Sequence, residues 1–156
     1  GTVFNVYLPV DSQALVETPH PFSTPATRGR GELILVVDDE VPVGNATQMV
    51  LEADNYRVLV ARQGKDAACL FLEYQDQIAL LLTDLMMPVM GGVDLVRALR
   101  LIRPDLPVIA TTGLDNDERQ AELAELGVTE ILRKPCPPAD MLAAIRRLLD
   151  APAGPA

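Results

Sequence analysis

"IALLLTDLMMPVMGG", residues 78–92, carries one carboxylate, Asp84, to the end of an almost wholly apolar run and then turns the chain with a proline and two glycines. A strand that is apolar on both sides must be covered on both sides, the situation of a central strand in a parallel sheet flanked by helices. Outward from it the same alternation repeats. On the N-terminal side "LILVV" is followed by a stretch of helical period, residues 43–53, with Val43, Ala46, Val50 and Leu51 on one stripe, then by "RVLVA" and "KDAACLFLEY". On the C-terminal side come "VDLVRALRLI", "PVIATTG", "DERQAELAEL" closed by Gly127, and "TEILRKP". The last segment, "ADMLAAIRRLLD", sets Met141, Leu142, Ile145, Leu148 and Leu149 on one face. Strand and helix alternating five times imply a parallel sheet. Right-handed crossovers then restrict it to a doubly wound α/β sandwich with "LILVV" and "IALLL" at its centre.

The 156 residues, 49% of them hydrophobic, suffice for one domain and an appendage. A formal net charge of -9 argues against a nucleic-acid surface, which needs clustered Lys and Arg, but suits cation binding. Cys69 and Cys136 are too few and too far apart for a disulfide framework or a zinc site, and read as reduced thiols in a cytoplasmic setting. No uninterrupted apolar run reaches the roughly 18 residues of a membrane span, and the N-terminus lacks the order of a signal peptide, so no membrane contact by this piece is expected. Residues 1–9, "GTVFNVYLP", alternate as a half-buried strand does. Residues 10–31 turn to Pro, Ser, Thr and Gly, the composition of a linker, leaving 32–150 as the folded domain and 151–156 as a tail. His20, the single histidine, falls in that linker and reads as a solvated side chain.

Open parallel sheets bind ligands beyond the carboxyl ends of their strands. The first apolar run ends in Asp38, Asp39 and Glu40, the third in Asp84, the fourth in Thr111, Thr112 and Gly113, and the fifth in Lys134 and Pro135. Singly, each has a plain structural reading: Asp before a helix is an N-cap, Thr before Gly a turn, Lys a solvated charge. Jointly they place several carboxylates at one sheet edge, an arrangement that repels itself unless a cation sits among them. Hard oxygen ligands with open positions favour magnesium.

The ordered set "LILVVDDE", "LLLTDLMMPVMGG", "PVIATTG" and "ILRKP" resembles the receiver domain of bacterial response regulators over nearly all of the compact region. The resemblance implies a flavodoxin-like (βα)5 fold with strand order 2-1-3-4-5. It also implies roles. Asp84 matches the phosphoacceptor, which takes a phosphoryl group from a kinase phosphohistidine. Asp38 and Asp39 match the acidic metal ligands, completed by Asp84 and the main-chain carbonyl of Met86, for Mg2+. Lys134 matches the lysine that pairs with a phosphoryl oxygen, before a proline bond that is commonly cis. Thr112 matches the hydroxyl that bonds the phosphoryl group, and Thr111 would then point elsewhere, since neighbouring strand residues face opposite sides. Such a domain is a self-phosphorylating phosphoacceptor rather than a turnover enzyme. Its implied partners are a histidine kinase phosphohistidine domain, in cis or in trans, and a histidine phosphotransfer protein.

"GTVFNVYLP" is similar to the closing strand of the ATP-binding domain of sensor histidine kinases, which with the linker implies the C-terminal receiver of a hybrid histidine kinase; no DNA-binding helix pair follows Asp150. Two positions depart from the pattern. Ile131 stands where the family usually carries a switching Phe or Tyr, which turns attention to loop and helix shifts around residues 115–126. Met86 and Leu114 are apolar where polar side chains would position an attacking water, so slow self-dephosphorylation is expected. Met86, Met87 and Met90 read as packing rather than a soft-metal cluster. A stand-alone single-domain response regulator is the nearest alternative. An aspartate-nucleophile phosphohydrolase resembling the haloacid dehalogenases would need an aspartic acid two residues beyond Asp84, where Met86 stands. A non-phosphorylated interaction domain would need none of the acidic, Thr and Lys positions.

Overall fold

The computed structural model describes residues 27–113 and 117–151. The N-terminal run 1–9, the linker up to residue 26 with His20, and residues 114–116 with Leu114 lie outside them, as do residues 152–156. Five strands, β1 (Leu33–Val37), β2 (Arg57–Ala61), β3 (Ile78–Asp84), β4 (Val108–Thr112) and β5 (Glu130–Arg133), alternate with α1 (Val41–Ala53), α2 (Gly64–Tyr74), α3 (Gly92–Arg100), α4 (Asp117–Glu125) and α5 (Pro138–Asp150). Every neighbouring pair of strands is parallel, in the order β2-β1-β3-β4-β5. This is the flavodoxin-like topology expected from the sequence, with β1 and β3 inside.

Alternation along each strand sorts the core into two layers. Leu35, Val37, Leu81 and Val108 pack with Phe71 of α2, Leu95 and Leu99 of α3, and Leu123 of α4. Ile34, Val36, Leu80, Leu82 and Ile109 pack with Leu51 of α1 and with Leu142 and Ile145 of α5. Each such side chain, taken fully out of water, stabilises the fold by roughly 1.5–3 kcal/mol. Not every expected core stripe is covered. On α1, Leu51 is buried, but Val43 and Val50 are only partly so and Ala46 is exposed.

The packed body reaches back to Thr27, whose carbonyl accepts from the Tyr56 hydroxyl at 3.0 Å, while Gly29 N–H donates to the Asp54 carbonyl at 2.8 Å. At the same end, buried Arg146 donates to Glu32 at 2.7 Å and lies 2.9 Å from Asp150, an ionic contact rather than a directed hydrogen bond. Burial alone would raise the Glu32 carboxyl; the bonds from Arg146 and from the Arg30 N–H outweigh it and hold it below its ordinary value. No helix of the described residues is long and apolar enough to cross a membrane.

The loop from β3 to α3 is bent under constraint. Val89 has φ 69°, and Met90 N–H donates to the Pro88 carbonyl at 2.8 Å, which closes a γ-turn on a β-branched residue. Just beyond, a Cβ on Gly92 would lie 2.3 Å from the Asp84 carbonyl oxygen, so only glycine lets α3 start this close to β3. Gly127, with φ 74°, ends α4 in the left-handed conformation. Urea unfolding is expected to show Gly92→Ala less stable by about 2–3 kcal/mol through the backbone clash. Val89→Gly is expected to be more stable by about 1 kcal/mol, because the relieved strain exceeds the entropy that glycine adds to the unfolded chain.

Candidate functional site: an acidic pocket at the switch point

The chain leaves β1 toward one edge of the sheet and later crosses to the other through β3, so the carboxyl ends of β1 and β3 form the topological switch point. Val37 pairs in register with Thr83, which sets the residues after them, Asp38 and Asp84, side by side. Both are 5% exposed. Each is tied to its own loop: Asp38 Oδ1 accepts from Glu40 N–H at 2.9 Å, and Asp84 Oδ1 accepts from Met86 N–H at 3.0 Å.

Their other oxygens share one ammonium. Lys134 Nζ donates to Asp38 Oδ2 at 2.8 Å and to Asp84 Oδ2 at 2.6 Å, with Glu40 Oε1 at 3.9 Å. Burial alone would depress this amine; the hydrogen bonds and charges of Asp38 and Asp84 outweigh it and hold it above the ordinary lysine value. The lysine arrives there because β5 runs beside β4, where its N–H donates to the Thr112 carbonyl at 2.7 Å. The Lys134–Pro135 peptide bond is cis, as the resemblance implied.

Asp38, Asp39 and Asp84 each offer a carboxylate oxygen, all within 4.8 Å of one another. Asp38, Asp84 and Glu40 thus stand about the Lys134 ammonium, and Asp39 joins the first two in the carboxylate cluster. The set is hard and oxygen-only, and one lysine leaves it short of positive charge, so it fits a divalent cation of the magnesium type.

The two threonines separate by the parity of β4. Thr111 pairs with Asp84 in register, bonds the Thr83 carbonyl at 3.4 Å and lines the cavity that holds Asp84 and Lys134. Thr112 is buried at the strand end, on the sheet face of Ala110, whose register partner is Ile131. Ile131 packs against the α2–α4 core layer. Sequence reading had not singled out Glu40 as a third acid near the lysine, and it pointed Thr111 away from the site that this residue in fact lines. Met86 is half-exposed, and its sulfur contacts Arg119 of α4.

Residues 34–146 match the response regulator receiver domain, and the chain belongs to that family. A receiver domain protein of Clostridium thermocellum is 31% identical with a TM-score of 0.73, over 76% of this chain and 94% of that one. A receiver protein of Pseudomonas putida is 31% identical with a TM-score of 0.70, over 76% and 98%. Among curated relatives, the phosphate regulon transcriptional regulatory protein PhoB of Pseudomonas aeruginosa is 28% identical over 121 residues, 76% of this chain and 52% of that protein. Response regulator SaeR of Staphylococcus aureus is 28% identical over 116 residues, 74% and 50%. The chain spans about half the length of these curated relatives. It is a receiver domain of two-component signalling, a family whose members accept a phosphoryl group on aspartate and meet histidine kinases or phosphotransfer proteins.

The ammonium is the main counter-charge of two buried carboxylates, which sets the expected effect of its removal. Lys134→Met should lose about 3 kcal/mol in metal-free buffer. Magnesium should recover more stability in the variant than in the parent, read by thermal unfolding with and without EDTA. Because the folded-state pKa of Lys134 is raised, its contribution is complete below the unfolded value of about 10.4 and is lost as pH rises through the folded value. The parent should therefore lose more stability than the variant as pH rises through that range.

Proposed function

We propose that Asp84 is the phosphoacceptor of this receiver and that Asp38, Asp39, Asp84 and the main-chain carbonyl of Met86 hold Mg2+ there. The observation that carries this reading is the Lys134 ammonium bridging Asp84 and Asp38 inside a nearly buried acid cluster. An Asp84 carboxylate oxygen attacks phosphorus. The new P–O bond forms as the P–N bond of the phosphohistidine breaks, and the imidazole nitrogen keeps that electron pair. When bound, magnesium supplies charge neutralisation at the phosphoryl oxygens and the carboxylates. Lys134 transfers one of its hydrogen bonds from Asp84 to a phosphoryl oxygen and keeps the other on Asp38. The Thr112 hydroxyl, at the end of β4 but outside the cavity lining, turns toward the site to donate to a second phosphoryl oxygen. The backbone N–H of Met86 fixes the attacking carboxylate before the phosphoryl donor arrives.

Exposed Val41, Met86 and Val89 lie in and beside the loops after β1 and β3, at the sheet edge that carries Asp84. They offer an apolar contact for the histidine-bearing partner, a kinase or a histidine phosphotransfer protein. The likeness of "GTVFNVYLP" to a kinase strand supports placement at the carboxyl end of a hybrid histidine kinase in the cytoplasm.

Intact-mass measurement after acetyl phosphate and magnesium tests the chemistry. The parent should gain one phosphoryl group, Asp84→Asn none, and Asp39→Asn far less at equal time. Labelling of Asp84→Asn to the parent's extent would refute the assignment. Once labelled, the parent should hold the group for much longer than seconds, since Met86 and Leu114 offer no polar atom to aim a water.

A further inference from the structure

The apolar stripe of α1 that its sequence marks for the core is only partly covered. Val43, Ala46, Thr47 and Val50 fall on one helical face, and none of them is buried. The same cavity is lined by Cys136 in the loop before α5, by Met141 of α5, and by Val36, Leu82 and Leu132 of the sheet. Ala46 and Thr47 are too short to close the gap. A cavity of about 600 Å³ remains, the size of a small-molecule site.

The composition of the cavity is asymmetric. Most of its lining is apolar, while Asp38, Asp84, Lys134 and the exposed Glu40 make up its charged part. The carboxylates of Asp38 and Asp84 are more than nine-tenths buried, and the acids outnumber the one ammonium. An anion entering from the apolar side meets net negative charge. A neutral ligand leaves that charge unanswered. A molecule with an apolar body and a cationic head satisfies both ends, and its head lies where the divalent cation of the phosphoacceptor reading is held.

We propose that the groove between α1 and α5 binds a small amphipathic cation, an aryl- or alkyl-amine in class, whose ammonium reaches Asp38 and Asp84 and whose occupancy opposes phosphorylation. The apolar part rests on Val43, Ala46, Val50 and Met141. The ammonium takes hydrogen-bonding room beside Lys134 and competes with magnesium for the carboxylates. This last consequence rests on the phosphoacceptor reading; the binding itself does not.

Phenylbutylamine, phenylbutanol and phenylbutyrate share one apolar body and differ in the charge of the head, and methyl NMR of the full chain follows them at Val43, Val50, Leu82 and Met141. The amine is expected to shift these methyls saturably and at least about tenfold more tightly than the alcohol, with no saturable shift by the acid. Magnesium should weaken the amine in a competitive manner. Ala46→Leu and, separately, Thr47→Leu fill the groove from an exposed helix surface and should each weaken the amine about tenfold while the parent's thermal stability is kept.

Equal binding of amine and alcohol, or amine binding unchanged in both filled variants, would overturn the proposal. A dimer in sedimentation that the same substitutions dissolve, with no amine bound, would make the groove an interface between copies and overturn it as well. Acetyl phosphate labelling is read on the same samples. A parent that binds amine but takes no phosphoryl group would fail the phosphoacceptor reading alone, whereas a parent that is labelled but binds no amine would fail only this one.

Discussion

The hydrogen-bonded triangle of Lys134 with Asp38 and Asp84 is the constraint on which the rest of the molecule depends. Carboxylates at this depth lose most of their hydration, and one left without a counter-charge would be several kcal/mol less favourable. The ammonium offsets that cost only if three separate segments hold it within hydrogen-bonding distance. The sheet does this through parallel register: Val37 beside Thr83 aligns the two acids, and β5 beside β4 delivers the lysine. A single lysine cannot neutralise the full acidic set, and that residual negative charge is what fits the pocket to a divalent cation.

Rigidity around the triangle comes from the loops. Asp38 and Asp84 each accept a main-chain N–H two residues on, so each carboxylate is aimed by its own backbone rather than by a mobile neighbour. The γ-turn at Val89 and the close approach of Gly92 to the Asp84 carbonyl then fold the following chain tightly against the end of β3. Val89 itself is fully exposed, so its strained path is held by buried Met87 and Gly92 on either side of it.

The two sheet faces have different contents at the same strand ends. Asp84, Lys134 and Thr111 line the cavity on the α1–α5 side, while Ile131 joins the core layer with α2, α3 and α4. An aliphatic side chain at Ile131 has no ring to swing, so packing there differs from that of receivers with an aromatic at this position. On the α1–α5 side, small residues of α1 leave an open groove leading into the acidic pocket. The carboxylates of Asp38 and Asp84 thus border an apolar volume as well as one another.

The periodicities of the chain by themselves determined the alternation of strands and helices, the central place of "LILVV" and "IALLL", and the location of Asp38, Asp39, Asp84, Thr112 and Lys134 at strand ends. Those are local properties, set by side-chain spacing of two in strands and about 3.6 in helices. Only the tertiary structure decided that Lys134 spans Asp38 and Asp84, that Glu40 stands near it, and that Thr111 rather than Thr112 lines the cavity with them. It also decided that of the apolar stripe on α1 only Leu51 is buried and that Val89 takes a positive φ. These depend on register between strands far apart in sequence and on how much volume opposing side chains fill, and neither quantity is written in the spacing of any one segment.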